Sequence, residues 1–127
     1  MKIVIATTNK NKIVEIRDKF SSISAIEIIP ASEYSGIPEI AEDADTFMGN
    51  ALKKARAIRD ITGETSLADD SGLVVDALNG EPGVYSARYG GEKASDIDRY
   101  NLILEKMAGV EEKMRSARFI CAIAISL

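Results

Sequence analysis

Leu67-Ala68-Asp69-Asp70-Ser71-Gly72-Leu73-Val74-Val75 places two carboxylates, a hydroxyl and a glycine between two short apolar runs. Run, polar break, run predicts strand, turn, strand. Acidic side chains at such a break stand at a sheet edge, where a site can form. Two readings compete there. One is a carboxylate site that holds a metal and supplies a base; the other is a tight turn in which Asp and Gly serve the backbone. The stretch alone favours the turn. Adjacent side chains of an extended backbone point to opposite faces, so Asp69 and Asp70 need not share a job.

Upstream, Ile3-Val4-Ile5-Ala6 is a continuous apolar run suited to a strand buried on both faces. Thr7-Thr8-Asn9-Lys10-Asn11-Lys12 breaks it, and Ile13, Ile16 and Phe20 then recur at helical spacing. Ile26-Glu27-Ile28-Ile29 predicts a second strand ended by Pro30. Residues 32–45 are polar and broken by Gly36 and Pro38, which predicts a loop. Asp43 or Asp45 is placed to cap the next helix, whose stripe is Phe47, Ala51, Ala55, Ile58 and Ile61. Gly63 is its expected C-terminal cap.

Downstream, Leu73 to Leu78 predicts the strand after the acidic break, and Asn79-Gly80-Glu81-Pro82-Gly83 is turn chemistry. A third helix is expected from Ser95 to Ala108, with Ile97, Tyr100, Leu104 and Met107 as its stripe and Ser95 and Asp98 at capping-box spacing. The run from Arg118 to Leu127 predicts a buried strand carrying Cys121 as a buried free thiol. Domains rarely finish on an uncovered apolar strand, so further chain is expected beyond Leu127.

At 127 residues the chain predicts one domain, and 46% hydrophobic with 28% charged residues is ordinary globular composition. A net charge of -4 gives no electrostatic case for a nucleic-acid polymer as partner, though local basic groups can bind a nucleotide's phosphates. The single cysteine precludes an internal disulfide framework, and the absence of His removes His triads, His metal sites and His bases. Lys2 is followed by only four apolar residues before Thr7, which is no signal peptide. No apolar stretch has the length to span a bilayer, and the cytoplasm is the expected location.

Three constellations carry chemistry. A strand feeding a polar loop that opens a helix leaves backbone N–H groups and the positive helix pole at one end, which makes an anion site. Thr7 and Thr8 add hydroxyl donors, Asn9 an amide, and Lys10 and Lys12 positive charge, the mixture a phosphate chain needs. No P-loop or Rossmann fingerprint is present. Glu42-Asp43, before the second helix, is helix-cap chemistry by itself; paired in space with Asp69 or Asp70 it suits Mg²⁺, which takes a few carboxylates plus phosphate oxygens. Pro82 to Gly90 offers Arg88 for a phosphate and tyrosines for stacking on a base, or simply a packed loop.

Thr7-Thr8-Asn9-Lys10-Asn11-Lys12, Asp45-Thr46-Phe47 with Asn50-Ala51 and Lys54-Ala55, Ala68 to Leu73, and Gly83 to Tyr89 occur in this order. Together they resemble the inosine/xanthosine triphosphate pyrophosphatase family, which hydrolyses aberrant purine nucleoside triphosphates. The resemblance implies that residues 7–12 (Thr7, Thr8, Asn9, Lys10, Asn11, Lys12) bind the triphosphate. It further implies that Glu42 and Asp70 hold Mg²⁺, that Asp70 accepts a proton, and that Ser71 contacts substrate. The implied fold is α/β, a mixed sheet flanked by helices in two lobes around a nucleotide cleft, and the implied assembly a homodimer. Two positions depart from the pattern: Gly49 stands where members often carry Glu, and Ala44 where Gly is common. The Phe-Gly-Tyr-Asp, Lys and Ser-His-Arg segments with which members grip the purine are not in this sequence. The chain is thus expected to be an N-terminal portion, 1–127, of a Mg-dependent pyrophosphatase acting on ITP, dITP or XTP. The alternative is a catalytically inactive nucleotide- or phosphate-binding fragment without the base-recognition segment.

Overall fold

In β1 (Lys2–Ile5) every second side chain turns to the same side of the sheet. Ile3 and Ile5 pack with Ile28 and Leu67 under Ile16 and Phe20. Val4 and Ala6 pack with Ala68 under Ala51, Ala55 and Ile58. The computed structural model describes residues 1–127, and these two apolar layers organise its first unit. The chain forms two compact units, 1–70 with 122–127, and 71–121. No helix is long and apolar enough to cross a membrane.

In the first unit, β1 pairs in parallel with β2 (Glu27–Pro30) on one side and β3 (Thr65–Val75) on the other. The intervening helices are α1 (Lys10–Phe20) and α2 (Phe47–Thr62). They cover opposite faces, as right-handed crossovers running in opposite directions along the sheet, β1 to β2 and β2 to β3, require. With β4 (Ala117–Ser126) the sheet is mixed and four-stranded, in the order β2-β1-β3-β4. The point between β1 and β3, where successive connections diverge, is the crevice in which open α/β sheets bind ligands. The Ala6 N–H donates to the Leu67 carbonyl at 2.8 Å. That bond brings the start of the Thr7 loop beside the strand that carries Asp69 and Asp70.

The predicted turn at Asp69-Asp70-Ser71-Gly72 does not exist: β3 runs unbroken from Thr65 to Val75, and the strand after the break ends at Val75 rather than Leu78. The polarity of the stretch arises from partners on the flanking helices, described below. Thr46, rather than Asp43 or Asp45, caps α2, its Oγ1 accepting from the Gly49 N–H at 3.0 Å. Asp43 is instead paired with Lys53. Ile61, expected in the buried stripe, is exposed, whereas Ile58 one turn earlier is buried. Gly63 closes α2 in the left-handed conformation, at φ 72°, which glycine adopts without a Cβ clash.

The second unit is held largely by polar ties. Its helix α3 (Asp96–Lys106) begins with the expected capping box, the Ser95 hydroxyl accepting from the Asp98 N–H and the Asp98 carboxylate from the Ser95 N–H. The expected apolar stripe is mostly outward-facing: Met107 is buried, while Ile97, Tyr100 and Leu104 are exposed. Ser86 braces the turn by accepting from the Leu73 N–H and donating to the Gly83 carbonyl. The Arg99 guanidinium donates to the Ala87 carbonyl at 2.7 Å.

The last strand also differs from expectation. Ala122 and Ala124 are buried, but Phe119, Cys121, Ile123, Ile125 and Leu127 are exposed. A continuous apolar run suggested burial on both faces; the period-2 pleat buries only the alanines. Cys121 is therefore an exposed thiol.

Candidate functional site

Asp69 and Asp70 face opposite sides of β3, and each meets a different helix. Asp69 is 9% exposed and accepts an ion pair from Lys12, two residues into α1. Asp70 is 8% exposed and accepts from the Asn50 amide of α2, Nδ2 to Oδ2, at 2.9 Å. Its other oxygen, Oδ1, carries no hydrogen bond. Two carboxylates can stand inside a strand because each has a donor on its own face; a buried charge without one would be far costlier.

The Thr7 loop is tighter than its sequence suggests. Asn9 caps α1, and its Oδ1 accepts from the N–H groups of Asn11 and Lys12 at 3.0 and 3.3 Å. Two of the helix-start donors expected for an anion are thereby used by the protein itself. The Lys12 ammonium is likewise engaged with Asp69, and Lys10 and Asn11 are exposed. The positive pole of α1 persists, since a cap satisfies N–H groups without cancelling the aligned peptide dipoles.

Thr7 and Thr8 line a cleft of about 510 Å³ in the first unit, together with Glu42 and Lys54. Tyr34, Ile37 and Ile40 form part of its apolar wall. The Lys54 ammonium pairs with Glu42 Oε1 and is 15% exposed. Asn50 and Lys54 lie four residues apart, so they share one face of α2. That face thus holds Asp70 through Asn50 and Glu42 through Lys54. Sequence reading named Glu42 and Asp70 but gave no role to Asn50 or Lys54. Their i, i+4 spacing on a helix starting at Phe47 was the available signal.

The expected residues therefore fall into groups. Thr7, Thr8 and Glu42 share the cleft; Asp70 is tied to the same helix face; Lys12 and Asn9 are committed to Asp69 and to the α1 cap. Ser71 is half-buried and opens the second unit.

No set of three or more His, Cys, Asp or Glu side chains is gathered to hold a metal ion. A hard cation of the Mg²⁺ kind is commonly held by one or two carboxylates with substrate phosphate and water completing six oxygens. Asp70, with Oδ1 unused, and Glu42, at the cleft wall, have the required chemistry.

Comparison with known proteins extends this geometry. The chain is 46% identical to a dITP/XTP pyrophosphatase of Desulforamulus reducens over 126 residues, covering 99% of this chain and 62% of that protein. It is 48% identical over 124 residues to one of Vibrio cholerae, covering 98% and 61%. Among solved structures it resembles a HAM1 protein from Coxiella burnetii with a TM-score of 0.92 and 42% identity, covering 98% of this chain and 62% of that one. The Staphylococcus aureus Ham1 protein gives 0.88 and 40%, covering 99% and 63%. The chain spans about three fifths of the length of these relatives. The Ham1 family model matches residues 3–127, nearly the whole sequence, and the chain belongs to the Ham1 family.

Proposed function

We propose that the protein is a Mg-dependent nucleoside triphosphate pyrophosphatase that acts on aberrant purine nucleotides such as ITP, dITP and XTP. The observation that carries this reading is that Asn50 and Lys54, on one face of α2, bond Asp70 and Glu42 respectively, while Glu42 and Lys54 line a cleft with Thr7 and Thr8. The names of the relatives supply the substrate class.

In this reading the Thr7 and Thr8 hydroxyls donate to phosphate oxygens, and the α1 pole and Lys54 offset their charge. Lys12 contributes charge while paired with Asp69. Asp70 Oδ1 orients a water and takes its proton as the water oxygen bonds to the α-phosphorus. The bond from the α-phosphorus to the bridging oxygen breaks, and pyrophosphate departs. A Mg²⁺ ion bound by Glu42 and Asp70 would neutralise charge on the reacting phosphates. The products are nucleoside monophosphate and pyrophosphate, one of each per turnover. On the family resemblance we place the protein in the cytoplasm, as a homodimer.

A second reading, nucleotide binding without turnover, is supported by the chain's span of about three fifths of its relatives. Binding energy from a base helps position the reacting phosphates, so a chain that grips the base weakly loses turnover as well as affinity. Incubation with ITP and Mg²⁺ separates the two: release of inosine monophosphate and pyrophosphate supports hydrolysis, and a rise in melting temperature without products supports binding alone.

A further inference from the structure

Asn50 is a polar residue at 0% exposure in the first turn of α2. Burying a carboxamide is unfavourable unless both of its ends are bonded. Here both are. Nδ2 donates to Asp70 Oδ2 at 2.9 Å, and Oδ1 accepts from the Ala44 N–H at 2.9 Å. Only one amide orientation serves, because the reverse sets an oxygen against a carboxylate and an NH₂ group against an N–H. Asn50 thus ties β3 to the segment that carries Glu42, two residues before Ala44.

We propose that Asn50 is a positioning residue: its carboxamide fixes the Asp70 carboxylate and the path of the Glu42 segment, so that both carboxylates are presented together with Asp70 Oδ1 left for the reaction. The inference deepens the pyrophosphatase reading and rests on it. Lys54 ties Glu42 directly to the next turn of the same helix, which makes the α2 face a two-point frame.

The test compares the wild-type chain with Asn50→Ala, using pyrophosphate release from ITP with Mg²⁺. Hydrogen exchange at the Ala44 amide serves as a readout independent of turnover. Asn50→Ala should lower kcat by about 10–100-fold, the usual effect of removing a support behind a metal-ligating group, with KM for ITP changed by less than about threefold. The Ala44 amide should exchange faster in Asn50→Ala than in the wild type.

Should Asn50→Ala fail to fold, Asn50→Asp decides. It keeps an acceptor for the Ala44 N–H while turning the contact with Asp70 repulsive, so a folded Asn50→Asp should protect the Ala44 amide and still lose kcat. Wild-type kcat in either folded variant overturns the proposal, as does a loss confined to KM. A wild-type chain that releases no pyrophosphate overturns the pyrophosphatase reading and the positioning role with it. The two failures are distinct, because failure of the positioning role alone occurs with an active wild type.

Discussion

Asp69 and Asp70 are neighbours in the chain yet answer to different helices, Asp69 to Lys12 of α1 and Asp70 to Asn50 of α2. The pleat of one strand separates two carboxylates that the sequence presents as a pair. The two should therefore differ in kinetics. Asp70→Asn should abolish turnover in a folded protein. Asp69→Asn should weaken binding by freeing Lys12, raising KM for ITP more than it lowers kcat. It should also cost about 1–3 kcal/mol of stability, because a partly buried pair loses one member. Steady-state kinetics with thermal melting checks both; equal kcat losses from the two substitutions would contradict the separation.

Ala44 and Gly49, the two departures from the family pattern, meet in space. A Cβ on residue 49 would stand 2.9 Å from the Ala44 Cβ and 3.0 Å from Thr46 Oγ1. Gly49→Glu alone should lower stability by about 1–3 kcal/mol through overpacking. Ala44→Gly with Gly49→Glu opens the space and gives Thr46 a Glu three residues on, the capping-box pair. The double variant should melt well above Gly49→Glu alone. If the two shifts merely add, the contact is not what couples them.

Acid should weaken the second unit through three carboxylates. The Ser116 hydroxyl and the Arg118 guanidinium hold Asp76 below the ordinary carboxylate range. Lys106 and the Tyr89 hydroxyl do the same for Glu81, and the Ser95 backbone and hydroxyl for Asp98. A depressed folded-state pKa means that the unfolded chain takes up protons first. The stabilisation is present above the unfolded values and is lost as pH falls through about 4 and below. Lys106 has the opposite sign: Tyr89 and Glu81 raise its pKa, so its contribution is lost only as pH rises past about 10. Melting curves from pH 7 to 2 should show a shallower decline for a triple Asp76→Asn, Glu81→Gln, Asp98→Asn variant. An unchanged slope would contradict these assignments.

Many of the elements were legible from the sequence because their signals are local. The β1 run, the spacing of Ile13, Ile16 and Phe20, the left-handed cap at Gly63 and the Ser95–Asp98 box all depend on near neighbours. What the sequence hid depends on distant partners. Asp69-Asp70 looked like a turn because Lys12 and Asn50, which permit two buried carboxylates in a strand, lie 57 and 20 residues away. Cys121 looked buried because a run of apolar residues does not say which alternate face is covered. Thr7 and Thr8, singled out by their chemistry, and Glu42, singled out by the family resemblance, line one cleft. Lys12 and Asn9 were legible only as donors, not as groups already bonded to Asp69 and to the α1 cap.

The central claim is that Asp70 is the working carboxylate of a triphosphate-cleaving site. Its most direct test is product analysis after incubating ITP and Mg²⁺ with the wild-type chain and with Asp70→Asn. The account predicts inosine monophosphate and pyrophosphate in equal amounts from the wild type, and neither from a folded Asp70→Asn. Inosine diphosphate with orthophosphate, or undiminished cleavage by Asp70→Asn, would contradict it.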